Sequence, residues 1–378
     1  MFDYESLRLI WWVLVAVLLI GYAVMDGYDL GVGIQLPFVA KSDDERRVLI
    51  NSIGPFWDGN QVWLILGAGA VFAAWPMIYA TAFSGMYAAL LLVLFALFLR
   101  PVGFDYRSKL ESPAWRSFWD YALFIGGLVP ALVIGVAFGN FLLGVPFHFD
   151  ETMRSFYTGS LWQLLNPFAL LTGLVSVAML TMHGASFLLI KTEGGIQQRA
   201  LRTSRWSAMA TIILFAIAGY FMMHGVEGFR VVSTIDPSAP SNPLTKEVIH
   251  EAGAWMARYE QYPLLWLAPM LGFAAAALVL MLGDKKPGLS FIASGTSVAG
   301  IAATAGLTLF PFIMPSSTHP SQSLLMWDAT SSEHTLGLML VAAAIFMPLI
   351  LMYTSWVFRV MRGKVTLQHI ADNDHSSY

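Results

Sequence analysis

The feature that most constrains this chain is a polar block, Trp57-Asp58-Gly59-Asn60-Gln61-Val62-Trp63, inside a segment that otherwise reads as membrane-spanning. Two more carboxylates, Asp26 and Asp29, interrupt the preceding apolar segment. An ionised carboxylate at membrane depth costs about 2.5–3.5 kcal/mol, so such groups usually face a bundle interior or a water-filled path. With no Lys or Arg expected at their depth, the three carboxylates predict proton or cation handling. Hydrogen bonding to neighbouring helices alone is the other interpretation.

Composition places the chain in the membrane class. Hydrophobic residues make up 57% of it and charged residues 12%, whereas soluble domains carry about 25% charged residues. The chain is therefore expected to be an integral membrane protein. The absence of cysteine excludes disulfides, thiolate chemistry and cysteine-held iron–sulfur clusters. The net charge of −3 gives no reason to expect a nucleic-acid partner.

The number of spans follows from length and charge placement. Windows of about 20 residues predict eight clear spans, near 9–30, 77–99, 118–143, 163–190, 207–224, 263–282, 288–313 and 335–358. A ninth, about 50–74, contains the polar block. If this ninth segment spans, 16 Lys and Arg lie on one side of the membrane and five on the other. If it does not span, the best division is 14 on one side and 7 on the other. The positive-inside rule therefore predicts nine transmembrane helices, with the N-terminus periplasmic and the C-terminus cytoplasmic.

The whole of 1–378 is expected to be one all-α membrane domain. Its predicted parts are a first four-helix bundle in 1–143, a second helical bundle in 163–313, a final helix at 335–358 and a polar cytoplasmic tail at 362–378. The long outer loop, 225–262, is rich in proline and is either an ordered cap or a flexible crossing segment.

The predicted orientation gives the carboxylates a depth. At about 1.5 Å per residue, Asp58 lies about 12 Å from an inner helix start near Leu49. Asp26 and Asp29 fall near the inner end of the first helix and share a face through their i,i+3 spacing. Trp63 falls near the middle of the bilayer, where it either packs between helices or lines an apolar route.

The histidines give no sign of a haem or metal centre. Only His183 and His224 lie at or near membrane depth, and no pair of histidines has the i,i+3 or i,i+4 spacing of a metal motif. Each histidine, including His369 and His375 in the tail, is therefore interpreted as solvated or hydrogen-bonded. The 19 methionines are interpreted as core filler. Alone, the chain looks like a scaffold with a proton path and without a redox centre.

Several long strings carry a family resemblance. They begin with Phe2-Asp3-Tyr4-Glu5 and Asp26-Gly27-Tyr28-Asp29 and continue with the polar block, Phe72-Ala73-Ala74-Trp75-Pro76, Arg100-Pro101-Val102-Gly103-Phe104-Asp105-Tyr106-Arg107, Gly135-Val136-Ala137-Phe138-Gly139-Asn140, Leu164-Leu165-Asn166-Pro167-Phe168, Phe310-Pro311-Phe312-Ile313-Met314-Pro315 and Met326-Trp327-Asp328-Ala329-Thr330. In this order they resemble subunit II of cytochrome bd-type quinol oxidases, in particular the proteobacterial ubiquinol-oxidising enzymes. Phe56 departs from the pattern, because relatives carry His before the Trp-Asp; an ionisable group would then be missing beside Asp58.

The resemblance implies a fold and a role. The fold would be nine helices arranged as two four-helix bundles plus one peripheral helix. A partner, subunit I, would hold two haems b and one haem d, oxidise ubiquinol near the outer face and reduce O2 to water with cytoplasmic protons, which generates proton motive force. The chain would be a multi-pass subunit of this quinol:O2 oxidoreductase in the bacterial inner membrane, without a complete active site of its own. Further implied partners are the lipid bilayer, one or more small single-helix subunits and a structural ubiquinone.

Individual residues take roles from the resemblance. Asp58 matches the carboxylate at the entrance of a proton pathway along the subunit interface, and Trp63 matches a Trp near a lateral opening for O2. Asp26 and Asp29 either extend the proton route or pack against Arg100 or Asn51. Arg100 and Asp105 are expected at the inner face, as an anchoring ion pair or as part of proton entry.

Other interpretations remain open at this stage. Many helices with carboxylates at matched depth also describe a proton-coupled secondary transporter. A purely structural anchor without a conducting role is the third possibility. Trp327 and Asp328 are predicted outside the membrane, where their loop would support the quinol-binding loop of the partner.

Overall fold

The computed structural model describes residues 2–372 and 378, and helices dominate them. The α-helices are α1 Tyr4–Met25, α2 Gly27–Val39, α3 Asp43–Ile53, α4 Trp57–Ala74, α5 Pro76–Gly85, α6 Tyr87–Tyr106, α7 Pro113–Leu143, α8 Leu161–Leu164, α9 Pro167–Lys191, α10 Gly194–His224, α11 Ala254–Gln261, α12 Leu267–Leu282, α13 Pro287–Leu309, α14 Glu333–Val360 and α15 Leu367–Asp372. Three antiparallel hairpins pair β1 Phe147–Phe149 with β2 Ser155–Tyr157, β3 Glu227–Val231 with β4 Val248–Ala252, and β5 Phe312–Met314 with β6 Leu324–Leu325.

Eight helical segments within the described residues are long and apolar enough to cross a membrane, and α1 with α2 counts as one of them. The number becomes nine if α4 and α5, which are bent by 119° at Trp75, form one broken span. The bend has a local cause: Pro76 occupies the first turn of α5, where its fixed φ and missing N–H favour the start of a new helix.

Contacts at its two ends show that α4 runs the full length of the helix array. At its start, the ring of Trp57 lies 5.9 Å from the guanidinium of Arg100. At its end, Ser331 N donates to Ala74 O over 2.8 Å, which joins α4 to the segment that carries β5 and β6. Its 18 residues cover about 27 Å, close to the thickness of a hydrocarbon core. We call the end with the three hairpins the sheet end, and the opposite end, near Trp57, the basic end.

Glycines allow the closest helix contact in the core, between α2 and α9. A Cβ on Gly31 would lie 2.0 Å from the carbonyl oxygen of Leu180, and one on Gly184 would lie 2.5 Å from the backbone of Gly31. Small residues let membrane helices approach in this way. Because α9 also packs against α7 and α10, no gap separates 1–143 from 163–313, and the division into two bundles stays a prediction. Along α14, by contrast, Leu336 is the one buried side chain.

The structure corrects several predicted boundaries. The predicted span at 50–74 is wrong at its start, because α3 ends at Ile53 and a turn at 54–56 separates it from α4. That turn contains Pro55, which has no N–H to donate to the carbonyl of Asn51 and so interrupts the helical hydrogen bonds. The first predicted span, 9–30, continues to Val39 after a break at Asp26, and the span predicted at 207–224 begins at Gly194.

The extramembrane segments are more structured than the sequence indicated. The loop 225–262 contains β3, β4 and α11, and buried Arg8 donates hydrogen bonds to the backbone carbonyls of Pro237 and Ala239. In the tail, α15 packs against α3 and buries Ile370. Residues 373–377, and with them His375 and part of the predicted tail, lie outside the described residues.

Candidate functional site

A buried ion pair lies at the break between α1 and α2. Arg100 donates from Nη1 to Asp26 Oδ2 over 2.9 Å and from Nη2 to Asp26 Oδ1 over 2.7 Å. The side chains are 3% and 0% exposed, and the two parallel bonds are the strongest geometry available to this pair. The expectation that no cation shares the depth of the carboxylates is therefore wrong. Arg100 lies inside α6, whereas the sequence analysis placed it in the loop after that helix.

Asp29 lies beside this pair without a cation of its own. Its Oδ2 accepts from Asn60 Nδ2 over 2.8 Å, and Asn60 also donates to the hydroxyl of Tyr28 over 2.6 Å. Asp29 Oδ1 is buried and has no hydrogen-bond partner among the described residues. The structure thus joins Asp29 to the polar block through Asn60, whereas Asp26 is held by Arg100. Two buried carboxylates, Asp26 and Asp29, thus lie near one guanidinium, that of Arg100.

Asp58 does not join this cluster. It lies in the first turn of α4 and is exposed on the surface of the chain. On the same side of α4, at helical spacing, follow Val62, Ile65 and Phe72, which are 42%, 67% and 58% exposed. Asp58 therefore stands at the basic end of an exposed apolar stripe. Since α4 begins at Trp57, it does not lie 12 Å inside a helix that starts near Leu49, as the sequence had suggested.

Trp63 is packed between α1 and α4. It is 5% exposed, and a Cβ on Gly21 would lie 2.5 Å from its ring. By helix rise it lies about 9 Å from the start of α4. The Trp63 side chain therefore contributes to the packing of α4 against α1. A part in O2 access stays a prediction.

At the basic end Arg100 does not pair with Asp105, which is exposed. Arg100 binds Asp26, which confirms the packing alternative predicted for Asp26. Arg107, 1% exposed, donates to Asp120 over 2.5 Å and to Asp43 over 2.8 Å. This network ties the end of α6 to α3 and α7, so the anchoring role expected at this face belongs to Arg107.

Phe56 points into the core. It is 4% exposed, stacks on Phe358 with ring centroids 4.8 Å apart, and has the ammonium of Lys191 5.0 Å from its ring. Asp58, two residues on, faces outward. Phe56 therefore fills an aromatic contact and is not part of the exposed surface around Asp58.

His183 is fully hydrogen-bonded, as the sequence analysis interpreted it. Its Nδ1 lies 2.8 Å from Ser294 Oγ and its Nε2 lies 3.0 Å from Val24 O. It lines a largely apolar cavity of about 380 Å³ together with Tyr28 and Phe358. Within residues 2–372 and 378 no three His, Asp or Glu side chains lie close enough together to hold a metal ion.

These features define an integral membrane protein, with a buried charge cluster and a carboxylate exposed at the start of α4. The sequence matches the family described as cytochrome bd terminal oxidase subunit II over residues 7–361. The chain belongs to this family, and the transporter interpretation is set aside. It is thus one subunit of a respiratory terminal oxidase and a multi-pass protein of the bacterial inner membrane.

Individual relatives agree with this assignment. The chain is 53% identical to cytochrome bd-I ubiquinol oxidase subunit 2 of Escherichia coli, over 100% of both chains. It is 33% identical to cytochrome bd ubiquinol oxidase subunit 2 of Bacillus subtilis, over 96% of this chain and 97% of that one. A chain of the bd oxidase structure from Geobacillus thermodenitrificans has a TM-score of 0.69 at 16% identity, covering 94% of this chain and 98% of that chain. That likeness shows the shared fold.

Proposed function

We propose that this chain supports a subunit I that carries two haems b and one haem d, and that it delivers cytoplasmic protons to that subunit along their interface. The assembled enzyme would oxidise ubiquinol and reduce O2 to water. Relatives named as ubiquinol oxidase subunits support the substrate. The observation that carries the proton role is the position of Asp58 on the surface of α4.

The exposure of Asp58 is the first step of the argument. Asp58 lies in the first turn of α4, so it costs less there than a carboxylate at the centre of a span, which costs about 2.5–3.5 kcal/mol. It favours a hydrated position at the end of this surface. The stripe of Val62, Ile65 and Phe72 beside it offers apolar area to a partner helix. A second subunit seated on α4 would bury the stripe and leave Asp58 at the mouth of a hydrated gap. Subunit I is the partner we propose for this surface.

Orientation is the second step. We propose nine spans, with α4 and α5 as one broken span and the basic end in the cytoplasm. Two observations support this arrangement. The two ends of α4 make contacts at opposite ends of the helix array, and 16 Lys and Arg lie near the basic end. Asp58 would then meet protons from the cytoplasm. The proposed fold is two four-helix bundles, with α14 as the peripheral helix.

The buried cluster divides the roles of the two other carboxylates. Asp26 accepts both hydrogen bonds of Arg100, which suits a fixed structural pair. Asp29 keeps an unpartnered oxygen and is linked to the polar block through Asn60. We therefore propose Asp29 as the carboxylate that extends the proton route inward. Asp105, exposed at the basic end, would contribute at most to the local concentration of protons.

Oxygen and quinone access complete the proposal. O2 is apolar and partitions into the hydrocarbon region, so the apolar contact of Trp63 with α1 is a suitable wall for its lateral entry, unless a small single-helix subunit covers it. A structural ubiquinone would suit the cavity beside His183. Its aromatic wall, Phe291 and Phe358, fits a quinone ring, and Thr296 is an exposed polar residue in the lining.

The proton role is tested by Asp58→Asn in the complex purified through a tag on this chain. The amide keeps the shape of the side chain and removes its charge and its proton. We expect slower O2 consumption with the haem content per complex unchanged. Asp44→Asn is the matched control, because Asp44 is an exposed carboxylate on α3 near the same end. Unchanged turnover in Asp58→Asn would leave a structural anchor as the function of this carboxylate.

A further inference from the structure

The structure assigns a binding site for an anionic phospholipid to the basic ends of α10, α12 and α13, and this assignment does not depend on the proposed oxidase role. Its polar part is formed by Arg202 and Arg205 of α10 and by Lys285 and Lys286, which precede α13. Its apolar part is formed by exposed side chains of α10 and α12 directly below. We propose that the headgroup phosphate binds the cations while an acyl chain lies along the two helices.

The register of α10 against α12 brings the cations together. The Arg205 guanidinium lies 3.5 Å from the position a Cβ on Gly283 would take, just past the end of α12. Further along, the rings of Phe215 and Phe273 are 4.8 Å apart. From Arg205 to Phe215 the chain advances ten residues along α10, and from Gly283 to Phe273 it goes back ten residues along α12. The two helices are therefore antiparallel neighbours. Lys285 and Lys286 lie in the turn that follows Gly283 and leads into α13.

Charge is not balanced at this site. Arg202, Arg205, Lys285 and Lys286 are all exposed, and none of them has an ion-pair partner among the described residues. Asp284 is the one carboxylate in the connecting segment. Elsewhere at this end, Arg107 and Arg116 are neutralised by Asp43. A concentration of positive charge between membrane helices binds anionic headgroups.

An apolar surface continues from the cations along the membrane-facing side. Trp206 is 70% exposed and lies level with the end of α12, where Met281 is 73% exposed. Exposed Met209 and Leu278 extend this surface by one turn on each helix. A Trp beside basic residues at a helix end is the arrangement found at the membrane–water interface. The cations and the apolar surface lie side by side, which favours a lipid over a free phosphate. A lipid contacts the cations with its headgroup and the apolar surface with its acyl chain, whereas a free phosphate contacts the cations alone.

The test compares lipid binding by intact complexes with native mass spectrometry. Complexes are titrated with cardiolipin in detergent micelles that contain a background of phosphatidylcholine. The variant Arg202→Gln/Arg205→Gln/Lys286→Gln removes three cations. Since each contributes about fivefold to binding at an anionic surface, we expect affinity for the strongest cardiolipin site on this chain to fall by roughly 100-fold. Haem content and O2 consumption should match the wild type, which shows that the variant has folded.

The control removes the same charge elsewhere at this end, as Lys109→Gln/Arg359→Gln/Arg362→Gln, three exposed cations outside the site. It should retain the strong site, and an equal loss in both variants would overturn the assignment. So would a triple variant that binds cardiolipin as tightly as the wild type. A second variant, Trp206→Ala, should weaken long-chain cardiolipin and spare a short-chain analogue. Displacement of cardiolipin by an equal concentration of inorganic pyrophosphate would show a free-phosphate site and refute the lipid assignment.

Discussion

Replacing Arg100 by Gln tests whether the buried cluster is a stabilising unit. The change removes the guanidinium that binds Asp26, a side chain that is 0% exposed, and leaves two buried carboxylates. Breaking a buried ion pair by removal of one partner costs about 3–5 kcal/mol. The entropy of unfolding is about 2.1 cal/mol/K per residue, or about 0.8 kcal/mol/K for 378 residues. The Tm should therefore fall by about 4–6 °C.

The assay is thermal unfolding of the purified complex, followed by circular dichroism and by loss of haem absorbance. Asp26→Asn/Arg100→Gln removes both charges, so its Tm should lie above that of Arg100→Gln alone. Asp29→Asn is the matched single carboxylate change. It should shift the Tm by about 1 °C or less, because the amide oxygen can still accept from Asn60. A Tm for Arg100→Gln within about 1 °C of the wild type would refute the reasoning.

Two further predictions concern the sheet end and the helix core. Burial lowers the pKa of Lys246 and raises the pKa of Asp328, and the two form an ion pair at 2.7 Å. Lys246→Met should cost about 3–5 kcal/mol at neutral pH, and Lys246→Met/Asp328→Asn about 1 kcal/mol or less. Folding favours the protonated form of Asp328, because burial raises its pKa. The Tm of Lys246→Met should therefore approach that of the wild type as pH falls through the raised pKa of Asp328. A difference in Tm that grows in acid would contradict this. Gly31→Ala, whose Cβ would meet Leu180 O at 2.0 Å, should abolish assembly in membranes, while Gly219→Ala on α10, with nothing within 4 Å, should assemble normally on blue native gels.

The sequence predicts most of the spanning helices because hydropathy alone determines them. The prediction at 118–143 corresponds to α7, and that at 335–358 corresponds to α14. What it misses are features set by tertiary contact. The break at Asp26 has a local signal, because Asp26-Gly27 is a dipeptide typical of turns. What the sequence does not show is the partner of Asp26, which lies on α6, 74 residues away.

The sequence predicts which residues form the candidate site. It does not predict which of them contact one another. The polar block and the pair Asp26 and Asp29 stand out as charges in apolar sequence, which is why they were singled out. Which of them meet depends on helix rotation: Asn60 faces inward to Asp29 while Asp58, two residues before it, faces outward. The predicted span at 77–99 ends just before Arg100, whereas α6 continues through Arg100 and Pro101 to Tyr106.

Proton uptake by the complex in liposomes tests the central claim most directly. The complex is oriented with its basic end outside, where a membrane-impermeant pH dye reports uptake after a pulse of O2 to the reduced enzyme. The account predicts that Asp58→Asn slows this uptake by tenfold or more and leaves the number of haems unchanged, while Asp44→Asn behaves as the wild type. Uptake by Asp58→Asn at the wild-type rate would contradict proton entry at this carboxylate.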